Sequence, residues 1–151
     1  MAMTKEEILD YLPQKPPFKF IDEIHEISDD GIEASYTFKE DESFYKGHFP
    51  GNPITPGVIL LETMAQTGVV AYGIYLCSQT MTKAEMDQYL TIFTDAEVEF
   101  SGLVRPGERV IIRAKKKFFR RLKLRVEAEL FKENGDVACR GIISGMGVKQ
   151  P

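Results

Sequence analysis

His48 and Glu62 are the two side chains whose setting in this sequence suits proton transfer. His48 lies within Gly47-His48-Phe49-Pro50-Gly51-Asn52-Pro53-Ile54-Thr55-Pro56-Gly57, which runs directly into the apolar Val58-Ile59-Leu60-Leu61 and then Glu62. Glycines permit positive φ or close approach to a ligand, and the three prolines remove freedom from the loop. A rigid segment around one titratable ring fits a reactive site better than a linker. An imidazole is free to act as a base near neutral pH, and a carboxyl group in apolar surroundings stays protonated through desolvation. Together they suggest an acid–base pair. Thr55 is the expected N-cap, with Pro56 at N1 and Gly57 at N2. Gly57 would then offer a bare N–H to partial negative charge on a ligand oxygen. Glu62 and Gln66, four residues apart, share one helix face.

These groups need elements to hold them. Thr4 with Glu7 has capping-box spacing and starts a short helix to Tyr11, ended by Pro13, Pro16 and Pro17. Ile32, Ala34, Tyr36 and Phe38 alternate with polar residues, as in a half-buried strand. The apolar run Gly57 to Leu76 reads as one long buried helix. Leu76 to Tyr89 is polar, with a second short helix and a loop. Strands follow at Ile92–Phe100, Arg109–Phe119, Leu122–Phe131 and Val137–Val148, with Pro106-Gly107 as a turn and Asn134-Gly135 as a hairpin signal. A long helix inserted early in an antiparallel sheet gives an α+β class.

The composition narrows the functions. A chain of 151 residues, 43% hydrophobic and 28% charged, is sized for a single domain spanning 1–151. A net charge of −4 argues against general nucleic-acid binding. Two cysteines, Cys77 and Cys139, with His25 and His48 have no zinc-site spacing and make no disulfide framework. They read as core thiols in a reducing cytoplasm, and His25 reads as a surface residue. Met1 to Pro13 is too charged for a signal peptide. Gly57–Leu76 is long enough to cross a bilayer, yet it carries Glu62 and Gln66 without a basic flank, so no membrane span is expected.

The motif Gly-His-Phe-Pro-Gly-x-Pro-x-x-Pro-Gly-Val, followed by Glu-x-Met-Ala-Gln at Glu62, Met64, Ala65 and Gln66, resembles the 3-hydroxyacyl-(acyl-carrier-protein) dehydratases of the FabZ type. Leu12-Pro13, Pro17-Phe18 and Asp22 resemble that family's N-terminus, and Val104-Arg105-Pro106-Gly107-Glu108 is near its Val-x-Pro-Gly-Asp. The resemblance implies a hotdog fold, with an antiparallel sheet wrapped around one long central helix. It also implies dehydration of a (3R)-3-hydroxyacyl thioester to the trans-2-enoyl product, without metal or organic cofactor. His48 would remove the proton next to the carbonyl, Glu62 from a neighbouring subunit would release the hydroxyl as water, and Gly57 N–H would bond the thioester oxygen. The Ile54 carbonyl would hold the His48 ring and Gln66 would orient Glu62. The implied partners are an acyl carrier protein and the chain itself, as a dimer or trimer of dimers, or a homologous hotdog subunit.

Two readings of the basic run Lys115–Arg125 stay open: a solvated strand face, or a docking patch for the acidic carrier protein centred on Arg120 and Arg121. Ser101-Gly102-Leu103 stands where the family often has an Arg-Arg pair, and the polar insert Ser78 to Gln88 is longer than usual. Both departures bear on chain length and carrier partner, so a polyene or polyketide-like pathway stands beside fatty-acid synthesis. The alternatives are a hotdog acyl thioesterase, in which the helix carboxylate activates water, and a non-catalytic hotdog partner subunit.

Overall fold

The computed structural model describes residues 2–151. Helix α1 (Lys5–Tyr11) starts on the expected capping box: Thr4 accepts from Glu7 N–H, and Glu7 accepts from Thr4 N–H. Strands β1 (Glu23–Ile27) and β2 (Gly31–Thr37) form a hairpin. β2 shows the anticipated alternation, with Ile32, Ala34 and Tyr36 buried. β1 has too few apolar positions to stand out in the sequence, and it lies at one edge of the sheet with a bulge between Ile24 and Glu26.

A short 3-10 turn (Ser43–Lys46) and the Gly/Pro loop lead into the central helix, Gly57–Ser78. That helix is α2 (Gly57–Ala65), a π-helical segment (Gln66–Ala71) and α3 (Tyr72–Ser78). The polar insert folds as α4 (Lys83–Met86), closed by a second capping box at Thr82 and Glu85. Strands β3 (Tyr89–Phe100), β4 (Arg109–Arg120), β5 (Lys123–Lys132) and β6 (Val137–Lys149) complete one antiparallel sheet in the order β1-β2-β4-β5-β6-β3. Consecutive hairpins build β4, β5 and β6, and Gly135 takes a positive φ of 94° at the Asn134-Gly135 turn. β3 runs along the far edge, bonded to β6 alone.

This is the α+β hotdog arrangement. Alternate residues of β4 and β5, among them Val110, Ile112, Val126, Ala128 and Leu130, are fully buried. With Leu60, Met64 and Val69 of the central helix they belong to the core. Helix and sheet approach closely where side chains are absent. A Cβ on Gly68 would lie 3.1 Å from both Ala114 and Val126, and one on Gly145 of β6 would run into Val69. By length and a hydropathy of 1.3 the helix could cross a bilayer, but 61% of that stretch is buried inside the protein. Thr63, Gln66 and Thr67 are among the residues with no exposure. Its apolarity serves the core.

The π segment has no counterpart in the sequence reading. Periodicity over a helix that is apolar on nearly every side does not register one wider turn. Such segments recur at functional sites, and this one starts at Gln66.

Candidate active site

The Gly/Pro loop is held by its own backbone. His48 N–H donates to Phe44 O at 3.0 Å, Ile54 N–H to His48 O at 2.9 Å, and Asn52 N–H to Phe49 O at 2.9 Å. Gly51 takes φ +78°, and a cis peptide joins His48 to Phe49. The His48 ring stacks on Phe49 with centroids 4.1 Å apart, and its Nδ1 lies 2.9 Å from Ile54 O. A carbonyl oxygen only accepts, so this contact assigns the proton to Nδ1 and leaves the Nε2 lone pair free. The ring is half-buried, with Nε2 on the side away from the bond to Ile54.

The helix start differs by one residue from the sequence expectation. Pro56 is the N-cap, with ψ 140°, and Gly57 is the first helical residue. Thr55 does not cap. Its hydroxyl is paired with Tyr45 OH at 2.6 Å, and its N–H donates to Val104 O. The shift reflects competition for the threonine oxygen, which a buried tyrosine satisfies better than a helix N–H open to solvent. Gly57 N–H is therefore the first donor of the helix, a position with no intrahelical acceptor. A Cβ on Gly57 would come within 3.2 Å of the Phe100 ring.

Glu62 sits about 1.4 turns further on. Its carboxylate accepts from Gln66 Nε2 at 2.9 Å. Gln66 is wholly buried, and its remaining capacity is spent on the segment before β1: Phe20 N–H donates to Oε1 at 2.7 Å, and Nε2 donates to Phe18 O at 3.1 Å. An amide clamped at both ends fixes the carboxylate it bonds. Burial pushes the Glu62 carboxyl above its ordinary value, and the Gln66 hydrogen bond partly opposes that. Burial thus favours the protonated, proton-donating form.

Two local pairs result: His48 with Ile54, and Glu62 with Gln66. Among the described residues, no hydrogen bond or ion pair within one chain joins His48 to Glu62. Phe20 escaped the sequence reading, and Phe18 and Phe100 entered it only as part of a terminal motif and as the end of a strand. They are isolated aromatics whose backbone or ring matters, and no spacing signals that.

The other candidates are placed as follows. Arg120 and Arg121 lie at the β4–β5 turn, where Arg121 and Leu122 take positive φ of 52° and 62°. Arg120 stacks on Phe118 at 4.5 Å. Lys123 and Arg125 pair with Asp95, while among the described residues Arg120 and Arg121 have no carboxylate partner. His25 is not a plain surface residue: its Nε2 meets Ser35 Oγ at 2.8 Å and its side chain is 26% exposed. It stands at the bulge of β1, between Ile24 and Glu26, where it has no register partner on β2. Both cysteines are free, Cys139 buried and Cys77 half-buried. No group of three or more His, Cys, Asp or Glu among the described residues could hold a metal ion.

Residues 12–140 match the family described as FabA-like domain. The 3-hydroxyacyl-(acyl-carrier-protein) dehydratase FabZ of Syntrophobacter fumaroxidans is 32% identical over 142 residues, 93% of this chain and 92% of its own. The enzyme of the same name from Pectobacterium atrosepticum is 34% identical over 140 residues, 91% of this chain and 88% of its own. Among solved structures, the dehydratase heterocomplex ApeI:P from Xenorhabdus doucetiae superposes with a TM-score of 0.78 at 18% identity, covering 94% of this chain and 91% of that one. The thioesterase HI1161 from Haemophilus influenzae superposes with a TM-score of 0.68 at 15% identity, over 99% of this chain and 93% of that one. At those identities the two structures speak to fold alone.

Proposed function

The chain belongs to the FabA-like domain family, and from that membership we propose that it dehydrates (3R)-3-hydroxyacyl-(acyl-carrier-protein) to the trans-2-enoyl thioester through His48 and Glu62. The observation that carries this reading is a histidine held with its Nε2 free, on the loop that leads into the helix carrying a carboxyl group favoured in its protonated form. His48 Nε2 takes the proton from the carbon next to the thioester carbonyl. The electrons move onto the carbonyl oxygen, where Gly57 N–H meets the developing charge; one such donor contributes about 3 kcal/mol. The enolate then collapses, the C–O bond at C3 breaks, and Glu62 gives its proton to the departing hydroxyl. Water leaves and the double bond forms between C2 and C3. Ile54 and Gln66 are positioning residues, one for the ring and one for the carboxyl group.

Because the two halves are not bonded within one chain, the reading completes each site with Glu62 of the partner subunit. The β3 edge supports such pairing. It is twelve residues long, bonded on one side only, and exposes Leu90, Ile92, Phe93 and Phe100. A homologous hotdog subunit is the other candidate for that edge. The chain then acts as one catalytic domain. Its carrier protein docks at the unpaired Arg120 and Arg121, and the two free thiols fit a reducing cytoplasm.

The test supplies 3-hydroxyacyl and trans-2-enoyl carrier-protein thioesters and follows loss or addition of water. His48→Ala and Glu62→Gln each lower turnover by about 10²–10⁴-fold, the range of positioned acid–base groups. Full activity in His48→Ala refutes the mechanism. Release of free thiol without enoyl product would assign the site to a thioesterase instead.

A further inference from the structure

Tyr45 and Thr55 stand at the two ends of the histidine loop, ten positions apart, and their hydroxyls meet at 2.6 Å. Both side chains are buried, and among the described residues neither oxygen has another hydrogen-bond partner. A threonine just ahead of a helix ordinarily turns its oxygen to the N–H groups of the first turn. Here no side chain caps the helix. The Thr55 hydroxyl is committed to the loop instead.

The consequence lies in the peptide unit between Ile54 and Thr55, which moves as one rigid plane. Its oxygen, Ile54 O, faces His48 Nδ1 at 2.9 Å, and its N–H donates to Val104 O at 2.8 Å. Two residues on, Gly57 presents the first N–H of the helix. Thr55 is therefore the joint between the acceptor that aims the base and the donor that meets the developing charge. The bond to Val104 fixes one point of this plane and leaves rotation about that bond. The Thr55 side chain supplies the second point.

Tyr45 gives that point a firm support. Its N–H donates to Glu42 O at 3.1 Å, and its ring packs edge-on against Phe44 with centroids 4.8 Å apart. The Glu42 carboxylate accepts from Lys39 N–H at 3.1 Å and from Tyr36 OH at 2.5 Å, and Tyr36 is a buried residue of β2. Phe44 O in turn accepts from His48 N–H at 3.0 Å. A continuous line of bonds thus runs from the sheet, through the 3-10 turn, to both ends of the loop.

We propose that Tyr45 and Thr55 are positioning residues, whose hydroxyl pair holds the His48 ring and Gly57 N–H in the relative geometry that turnover requires. The assignment rests on the dehydratase reading, and its test separates the two. Values of kcat and KM on a 3-hydroxyacyl pantetheine thioester are measured for Tyr45→Phe, Thr55→Val, their double variant and Thr55→Ser. Each of Tyr45→Phe and Thr55→Val lowers kcat about tenfold to a hundredfold, as an ångström of misplacement does, with KM within about twofold. Thr55→Ser retains the oxygen and keeps kcat near wild type. Removing both hydroxyls leaves no unpaired buried group, so the double variant melts near the wild-type temperature. Its kcat nevertheless stays as low as in the single variants. A purely structural bond would return activity together with stability, so kcat restored in the double variant overturns the proposal. A rise in KM at unchanged kcat overturns it too. Nitrogen-15 NMR of the two histidines reads the ring without turnover. In the neutral state wild-type His48 carries its proton on Nδ1, and Thr55→Val adds the Nε2–H tautomer while His25 is unchanged. Nδ1–H alone at His48 in Thr55→Val overturns the proposal. Should wild type dehydrate no thioester, the dehydratase reading falls and the tautomer result still decides the role of the pair.

Discussion

Replacing Gln66 by leucine probes the support of the site and its acidity in one variant. Gln66 is wholly buried and makes three hydrogen bonds, to Phe20 N–H, Phe18 O and Glu62. Leucine fills a similar volume and makes none of them. Phe20 is fully buried, so its N–H is left without a partner, at about 1–3 kcal/mol. Phe18 is 48% exposed, and water can take over at its carbonyl for a fraction of that. The sum is about 2–4 kcal/mol, within the ordinary 5–15 kcal/mol stability of a domain, so the variant folds. At this chain length the melting temperature drops by roughly 5–15 °C. The Glu62 carboxyl also loses the one hydrogen bond that held its pKa down, so its pKa moves further up. A group acting as the acid must be protonated, and activity falls as pH rises through its pKa. The basic limb of the kcat/KM profile therefore moves to higher pH in Gln66→Leu. Urea unfolding and a pH series on a 3-hydroxyacyl thioester measure both effects. A stability loss under about 0.5 kcal/mol would mean the clamp carries no load. A basic limb that stays in place while activity falls would show that Gln66 does not act through Glu62.

Two further outcomes follow from the charges. Because Glu62 is raised in the native protein above its ordinary 4.5, the unfolded chain ionises first as pH rises, and native stability is lost through the window between the two values. Glu62→Gln removes that loss, so its stability relative to wild type grows across the window and then levels off; a difference independent of pH refutes the assignment of a buried, raised carboxyl. Arg120→Glu and Arg121→Glu reverse charges that have no carboxylate partner among the described residues, and they slow association with an acidic carrier protein most at low salt, where screening beyond about 10 Å is weak. Association rates equal to wild type at low salt would assign the basic run to a solvated face.

Much of the site was legible because its signals are local. A capping box at Thr4 and Glu7, alternation in Ile32–Phe38, the Asn134-Gly135 turn and the four-residue step from Glu62 to Gln66 each act over a few residues. The sequence by itself therefore determined the element order, the rigid histidine loop and the helix that carries the carboxylate. Its most local signal also misled by one residue, since Thr55 bonds Tyr45 across ten positions instead of capping the helix. Tertiary structure decided what depends on distant partners. Gln66 is clamped by Phe20 and Phe18, 46 and 48 residues away. Gly145 lies beneath Val69, and the insert is tied through Asp87 to Tyr11 and Gln150. The edge strand β1, the π turn at Gln66 and the unpaired flank of β3 belong with them. Each depends on how the chain packs against itself, and a residue's type does not encode which remote backbone will need its side chain, or its absence.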